Sequence, residues 1–264
     1  MLASTQTYSH VVPSAAELDK NIIKSAHRAL EVFEFFASAG RPASATEIAN
    51  VLGYPQSSTS MLLRSLVALG YLDYHRDERS YEPTLRLSLL GGWIPQRIDI
   101  ARHIIETMNN LHEEFAETVL LAVQYRHYVR YIYAVQKPEP GISYHVRPGI
   151  LRPATATATG LALLTLNSDR DVQSILNRIN ADQHDPGEWL RRQDLFDRLE
   201  QTRRDGYAYH ERELDAWIGV QVAVLLPPGE GSPRMALGVL SRRPRYKQRE
   251  NEILSRLLEI SRGQ

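Results

Sequence analysis

Residues 42–81 constrain the fold of this chain more than any other stretch, because they predict two short helices followed by a β-hairpin. Ser44 and Glu47 form a capping box, in which a hydroxyl and a carboxylate satisfy the free amides at a helix start. Gly53 suits the left-handed residue that ends this helix, and Gly70 is placed to end the next one. This order of elements is typical of a winged helix-turn-helix.

The second helix of this motif begins with short hydrogen-bonding side chains and no carboxylate. An i, i+4, i+7 spacing predicts its buried stripe at Leu62, Leu66 and Leu69. A helix start carries partial positive charge, and the first residues of a recognition helix meet base edges in the major groove. DNA contacts are therefore predicted from Ser44, Gln56, Ser57, Ser58, Thr59, Ser60 and Arg64. An ordinary helical hairpin with solvated serines is the alternative.

Residues 71–83 alternate apolar and polar side chains around a charged tip, the pattern of a two-stranded wing. Arg76 and Arg79 at the tip are predicted to enter a minor groove or to meet phosphates. Acidic neighbours offset these charges, and residues 1–95 hold eight Lys or Arg against nine Asp or Glu, a net charge of −1. DNA affinity is therefore expected to depend on local geometry and dimerisation, with a modest salt dependence.

The composition is that of an ordinary globular protein with room for two domains. The 264 residues are 43% hydrophobic and 23% charged, and 31 Lys and Arg balance 31 Asp and Glu. The absence of cysteine excludes disulfides and thiol chemistry and fits a cytoplasmic protein. No run approaches the roughly 20 apolar residues of a membrane span. Residues 1–20 are expected to form a flexible arm rather than a signal peptide.

Glycine and proline breaks suggest how the rest of the chain is divided. Residues 21–92 are assigned to the winged helix-turn-helix domain, 93–117 to a linker helix and 118–264 to a second domain. From Thr118 the hydrophobic period changes from about 3.6 to about 2, which indicates strands. Strands are predicted at 118–123, 129–135, 142–146, 219–226 and 235–240, and helices at 158–166, 169–180, 190–205 and 247–261. This mixture predicts an α+β sensor domain.

Many short matches in the correct order, from Ile22 to Leu258, give this chain its resemblance to a known family. In the head they are Ser25-Ala26-His27-Arg28-Ala29-Leu30, Ala39-Gly40-Arg41-Pro42, Glu47-Ile48-Ala49, Leu52-Gly53, Ser57-Ser58, Leu62-Leu63 and Gly70-Tyr71-Leu72. The chain resembles the IclR-type family of bacterial transcriptional regulators, which implies a GAF-like effector-binding domain in the second half. The family often has Arg before the Leu-Leu pair, where this chain has Met61, so a different operator is implied.

Residues 152–160 are rich in small side chains and lead into a helix, so the backbone there can approach a ligand closely. A plain N-capped helix with Thr157 or Thr159 as its cap is the simpler alternative. The resemblance implies that the backbone amides of Ala158 and Thr159 hold a ligand carboxylate. We therefore expect an effector site that includes Thr157, Ala158, Thr159 and Gly160.

The resemblance also implies further pocket walls. Val222 stands where the family often has a ligand-facing cysteine, and Leu240 where it has a serine. This loss of polar partners predicts a larger or more hydrophobic effector than the small keto acids that some relatives sense. Arg147 or Arg152 is expected to neutralise an acid group, with surface exposure as the alternative. Aromatic side chains expected to line the pocket, with core packing as the alternative, are Tyr131, Tyr133, Tyr144 and Trp217.

Together these features predict a regulator whose DNA affinity is switched by a carboxylate-bearing or aromatic metabolite. A homodimer or dimer of dimers is expected on a near-palindromic double-stranded operator, and the resemblance favours repression. No cofactor, metal site or membrane partner is predicted, because no P-loop, Gly-x-Ser-x-Gly elbow, His-Glu-x-x-His pair or dinucleotide fingerprint occurs. The alternatives are an effector-independent structural DNA binder, or an enzyme with an unrecognised site in the second domain.

Overall fold

The computed structural model describes residues 23–90, 95–136, 146, 148–183, 185, 187, 189–214, 217–229 and 233–263. The predicted arm 1–20 and all but the last residue of the predicted strand 142–146 lie outside this part of the chain. Two compact units divide between Arg102 and His103, within the predicted linker helix. None of the described helices is long and apolar enough to cross a lipid bilayer.

The N-terminal unit combines short helices with a small antiparallel sheet. Its elements are α1 (Lys24–Ala39), β1 (Ala43–Ser44), α2 (Ala45–Leu52), α3 (Gln56–Ala68), β2 (Leu72–His75), β3 (Ser80–Pro83) and α4 (Leu85–Leu89). The strand order is β1-β3-β2, and β2 and β3 form the predicted hairpin. Strand β1 was not predicted, since two residues are too short to show a period of two. The winged helix-turn-helix prediction is confirmed.

Capping residues fix the ends of α2 and α3 as the sequence predicts. The Ser44 hydroxyl accepts a hydrogen bond from the Glu47 amide at 3.2 Å. Gly53 and Gly70 adopt left-handed backbone angles, with φ of 69° and 75°, where other residues would be strained. Pro55 precedes the first residue of α3 rather than lying within it.

The buried stripe of α3 is one position out of phase with the prediction. Thr59, Leu63 and Leu66 are buried, whereas Leu62 is half-buried and Leu69 is 59% exposed. The adjacent leucines at 62 and 63 fit either phase of a helical pattern, and packing decides between them. The buried side chains of this domain's core are Val32, Phe35, Phe36, Ala43, Ile48, Leu63, Leu66, Leu72 and Tyr81.

The C-terminal unit is built on a six-stranded antiparallel sheet with the order β6-β5-β4-β9-β8-β7. Its elements, together with the helix α5 that contains the division point, are α5 (Pro95–Phe115), β4 (Thr118–Tyr125), β5 (Tyr128–Val135), β6 (Leu151–Pro153), α6 (Ala158–Leu164), α7 (Asp169–Ala181), α8 (Arg192–Asp205), β7 (Ala208–Leu214), β8 (Trp217–Leu225), β9 (Met235–Arg242) and α9 (Arg243–Ser261). The edge strands β6 and β7 were not predicted. The α+β class is confirmed.

Strand alternation sends side chains to two separate cores, one on each face of the sheet. On one face Leu120 and Ala223 pack with α6, α7 and α8. On the other face Val220, Val222 and Val224 pack with α5 and α9. Neighbouring residues of one strand therefore belong to different environments, which decides the residues that can reach a ligand.

Arginines of α9 hold the C-terminal end of α5. Arg249 donates to the Glu114 carbonyl oxygen at 2.8 Å, and Arg245 donates to the Ala116 carbonyl oxygen at 3.2 Å. Arg245 also pairs with the Glu117 carboxylate at 3.0 Å. The last carbonyl groups of a helix lack hydrogen-bond partners within the helix, and these arginine side chains supply the missing donors. They fix the point at which α5 passes into β4.

Candidate nucleic-acid interface and ligand cavity

The outward face of α3 is polar and carries no carboxylate. Gln56, Ser57 and Arg64 are exposed, and Ser60 is half-buried. Met61 lies on the same face and is 64% exposed, so the position where relatives often carry Arg is available to solvent here. This surface offers hydrogen-bonding groups and one cation, which suits base edges and a phosphate.

Local hydrogen bonds orient several of these side chains. The Gln56 amide nitrogen donates to the Thr46 hydroxyl at 2.8 Å, which ties the start of α3 to α2. Ser58 donates to the Pro55 carbonyl oxygen at 2.9 Å, and Arg64 Nε donates to the Ser60 carbonyl oxygen at 3.3 Å. The Gln56 carbonyl oxygen and the outer guanidinium nitrogens of Arg64 are not used in these bonds.

Two members of the predicted DNA-contact set have structural roles. Thr59 is only 2% exposed, and its hydroxyl donates to the Pro55 carbonyl oxygen at 3.2 Å. The prediction that Thr59 contacts DNA is wrong, because its side chain lies in the core of the head. Ser44 is half-buried and its hydroxyl caps α2.

The wing tip presents two exposed arginines next to two exposed carboxylates. Arg76 and Arg79 flank Asp77 and Glu78 in the turn between β2 and β3. Arg79 has a φ of 51°, a left-handed conformation that turns the chain into β3. The tip carries no net charge. Its contribution to DNA binding therefore depends on whether the arginine side chains can extend to the DNA, and not on long-range electrostatic attraction.

A cavity lies on the face of the six-stranded sheet that packs with α6, next to the start of that helix. The empty space in this cavity, counted together with its opening to solvent, is about 350 Å³. The residues that line it are Leu120, Tyr131, Arg152, Ala156, Thr157, His210, Arg212, Gly219, Gln221 and Leu240. Every strand of the sheet contributes at least one of them.

Gln221 is the central polar group of this cavity and is only 5% exposed. Its carbonyl oxygen accepts from the Ala158 amide at 2.8 Å, and its amide nitrogen donates to the Tyr131 hydroxyl at 3.2 Å. Gln221 thereby joins the start of α6 to strands β8 and β5. One N–H of its amide is left over for another partner.

His210 and two arginines make the rest of the lining polar. Burial, together with the positive charges of Arg198 and Arg212, lowers the pKa of His210 to about 3. Arg198 Nη2 lies 2.7 Å from His210 Nδ1. Because guanidinium groups only donate, Nδ1 accepts and the ring proton sits on Nε2. The lining is therefore rich in hydrogen-bond donors, which does not favour the larger or more hydrophobic effector that the sequence predicts.

The predicted effector residues divide according to the face of the sheet. Tyr131, Thr157 and Leu240 line the cavity. Val222 and Tyr133 pack on the opposite face, so the prediction that they contact the effector is wrong. Both errors follow from strand alternation, which turns each of these side chains away from α6.

Two further predicted aromatic residues lie elsewhere. Trp217 packs under the Arg242 guanidinium, 5.5 Å from its ring centre, and does not line the cavity. Tyr144, like Arg147, lies outside the described residues.

The start of α6 is packed tightly rather than open. Thr157 caps the helix by accepting from the Gly160 amide at 3.0 Å. Thr159 is fully buried, and its hydroxyl donates to Thr157 at 3.3 Å. A Cβ on Gly160 would lie 2.1 Å from the Ala154 carbonyl oxygen, so this glycine permits close backbone packing. The Ala158 amide, which the resemblance implies would hold a ligand carboxylate, donates to Gln221 in this structure.

Sequence reasoning did not assign Gln221, His210 or Arg212 to the site. Gln221 is the one polar residue in an otherwise apolar stretch of β8, and that signal could have identified it. Strand β7 contains a run of charged residues of alternating sign, so its sequence resembles that of a solvent-exposed surface segment. Among the described residues, no group of three or more His, Asp or Glu side chains is placed to hold a metal ion.

The chain is similar to bacterial regulators over most of its length. Residues 25–76 match the IclR helix-turn-helix domain, and residues 94–263 match the C-terminal domain of the bacterial transcriptional regulator IclR. Two curated relatives are each 26% identical to it. The HTH-type transcriptional regulator XynR of Escherichia coli K12 aligns over 75% of this chain and 78% of its own length. The acetate operon repressor of Salmonella typhimurium aligns over 72% and 70%.

Solved structures agree with these matches. The crystal structure of the effector domain of an IclR regulator from Acinetobacter sp. ADP1 superposes with a TM-score of 0.56 at 26% identity. It covers 62% of this chain and 94% of that one. Both family models match and one spans more than half of the chain, so the chain belongs to the IclR family of bacterial transcriptional regulators.

Proposed function

We propose that this protein is a ligand-responsive, sequence-specific repressor that acts on double-stranded operator DNA in the cytoplasm. One observation supports this most: the same chain carries an exposed helix face without carboxylates and a partly enclosed cavity rich in hydrogen-bond donors. The acetate operon repressor among its relatives supports repression rather than activation.

On the DNA side, α3 enters the major groove and the wing contacts the flanking backbone. Gln56 and Ser57 read base edges, Ser58 and Ser60 support them, and Arg64 binds a phosphate. Arg76 and Arg79 reach the adjacent groove or phosphates from the wing tip. A homodimer, alone or paired into a tetramer, places two such heads about one helical turn, roughly 34 Å, apart on a near-palindrome.

On the effector side, a small acidic molecule binds the cavity between the sheet and α6. Arg152, Arg212 and the Nε2–H of His210 supply the donors that an acid group requires. Effector binding changes the DNA affinity of the heads through α5, which contains the division between the units. By linkage, operator DNA changes effector affinity by the same factor.

An effector-independent DNA binder would gain nothing from a cavity that contains buried Gln221 and two arginines. The cavity therefore favours the ligand-responsive function. An enzyme in the second domain is favoured by no described group.

The DNA half of the proposal is tested by selecting an operator from random duplexes and measuring affinity by fluorescence anisotropy. Gln56→Ala and Ser57→Ala are each expected to weaken operator binding by about five- to tenfold, about 1 kcal/mol, without changing affinity for unrelated duplex. Ser174→Ala, an exposed serine of α7, serves as the matched control. Unchanged operator affinity in both α3 variants would remove this helix from the interface.

A further inference from the structure

We propose that the effector is a short molecule with an acid group at each end, one bound by Arg152 and the other by Arg212. This inference rests on the proposed function and specifies the ligand class of the same cavity. It narrows the carboxylate-bearing or aromatic metabolite that the sequence predicts to a dicarboxylate.

The two arginines come from opposite edges of the sheet. Arg152 lies on β6 and Arg212 on β7, the first and last strands in the order β6-β5-β4-β9-β8-β7. Both nevertheless line one cavity, so the sheet curls until its edges face a common space. A ligand in that space meets a cation at each end.

The side chains between the arginines change in polarity along the sheet. Tyr131 lies on β5, Leu120 on β4 and Leu240 on β9, followed by Gln221 on β8. The two central strands therefore present leucines, whereas the two ends present cations. An apolar middle flanked by positive ends matches a short hydrocarbon spacer between two carboxylates.

The charges favour a ligand with two negative groups over one. No Asp or Glu is among the described residues that line the cavity. His210 stays neutral, because Arg198 donates to its Nδ1, and it adds a donor rather than an acceptor. A diacid can accept hydrogen bonds from both guanidinium groups that line the cavity, whereas a monoacid offers one acid group to only one of them.

One nitrogen of the Arg152 guanidinium lacks a hydrogen-bond partner among the described residues. Its Nη1 donates to the Leu151 carbonyl oxygen at 3.1 Å, whereas its Nε is buried and has no partner within the described part of the chain. A buried donor without a partner is destabilising, so an acid group that draws this side chain toward the cavity can supply an acceptor for Nε.

Calorimetric titration of the full-length protein with matched acids tests the inference. Succinate, glutarate and adipate are compared with butyrate, pentanoate and hexanoate, which have the same chain lengths and one acid group. At least one diacid is expected to bind tenfold or more tightly than its monoacid partner. Arg152→Gln and Arg212→Gln should each reduce this preference to about onefold, whereas Arg170→Gln, an exposed arginine of α7, should leave it unchanged.

Equal affinity for diacids and monoacids, dependence on only one of the two arginines, or no binding of any diacid would each overturn the inference. Circular dichroism shows whether each variant folds. If either variant does not fold, the comparison of diacids with monoacids on the wild-type protein decides the inference by itself. Operator anisotropy separates the two proposals. If a neutral compound or a monoacid alters operator affinity, the proposed regulatory function stands and the proposal of a diacid effector is overturned. If the protein shows no specific DNA binding, the proposed regulatory function is overturned.

Discussion

The DNA-contacting face and the effector cavity are built in opposite ways. The outward face of α3 comes from consecutive turns of one helix, between Gln56 and Arg64, so local sequence largely defines it. The cavity gathers single residues from six strands, from Leu120 to Leu240 along the chain. A change in the first surface should alter binding and little else, whereas a change in the second should alter stability as well.

The largest expected effect of this difference is at Gln221. Gln221→Leu removes the acceptor of the buried Ala158 amide and one of the donors to the Tyr131 hydroxyl, so the free energy of unfolding should fall by about 2 kcal/mol. Urea denaturation measures this loss. Gln201→Ala, an exposed glutamine of α8, should change stability by less than about 0.5 kcal/mol. If Gln221→Leu leaves the free energy of unfolding unchanged, this side chain does not hold the cavity together.

A smaller effect is expected from acid. The pKa of His210 is lowered to about 3 in the folded protein, against about 6.5 in an unfolded chain. Between these values the unfolded chain binds the extra proton, so the contribution is complete above about pH 6.5 and is lost as the pH falls toward 3. From pH 7 to 5.5 the free energy of unfolding should drop by about 1 kcal/mol more in the wild type than in His210→Gln.

Urea midpoints at the two pH values measure this difference. His103→Gln, an exposed histidine of α5, should keep the wild-type dependence. If His210→Gln and the wild type lose stability equally on acidification, burial and the nearby arginines do not lower the pKa of His210 as described.

The smallest effect is expected on the helix face. Met61→Arg restores the cation that relatives often have, and its position is exposed, so the fold should tolerate it. One additional phosphate contact should steepen the slope of log affinity against log salt by about 0.9. Anisotropy titrations at several salt concentrations measure this slope. The same substitution at Ser174 should leave it unchanged, and an unchanged slope for Met61→Arg would place this face away from the backbone.

The sequence predicts the head well because its signals are local. The capping box at Ser44, the left-handed glycines and the alternation around the wing each depend on neighbouring residues. The error at Thr59 arises because the whole first turn of α3 was taken to face outward, although Thr59 lies one helical turn before the leucines at 62 and 63 and is buried with Leu63.

The cavity was predicted less well because it depends on register and strand alternation. The choice of Val222 instead of Gln221 is an error of one residue, and in a strand one residue reverses the face. Arg212 could not be found without β7, whose charged residues give no apolar period. Tyr131, Leu240 and Arg152, which the sequence analysis places at the effector site, are among the residues that line the cavity.

The central claim is that the exposed face of α3 reads DNA. The most direct test measures whether bound operator protects a single thiol on this face from chemical modification. The chain has no cysteine, so Ser57→Cys creates a unique site for maleimide modification. Bound operator is expected to slow modification at Ser57→Cys at least tenfold and to leave Ser174→Cys unaffected. Equal modification rates at Ser57→Cys with and without saturating operator would contradict the account.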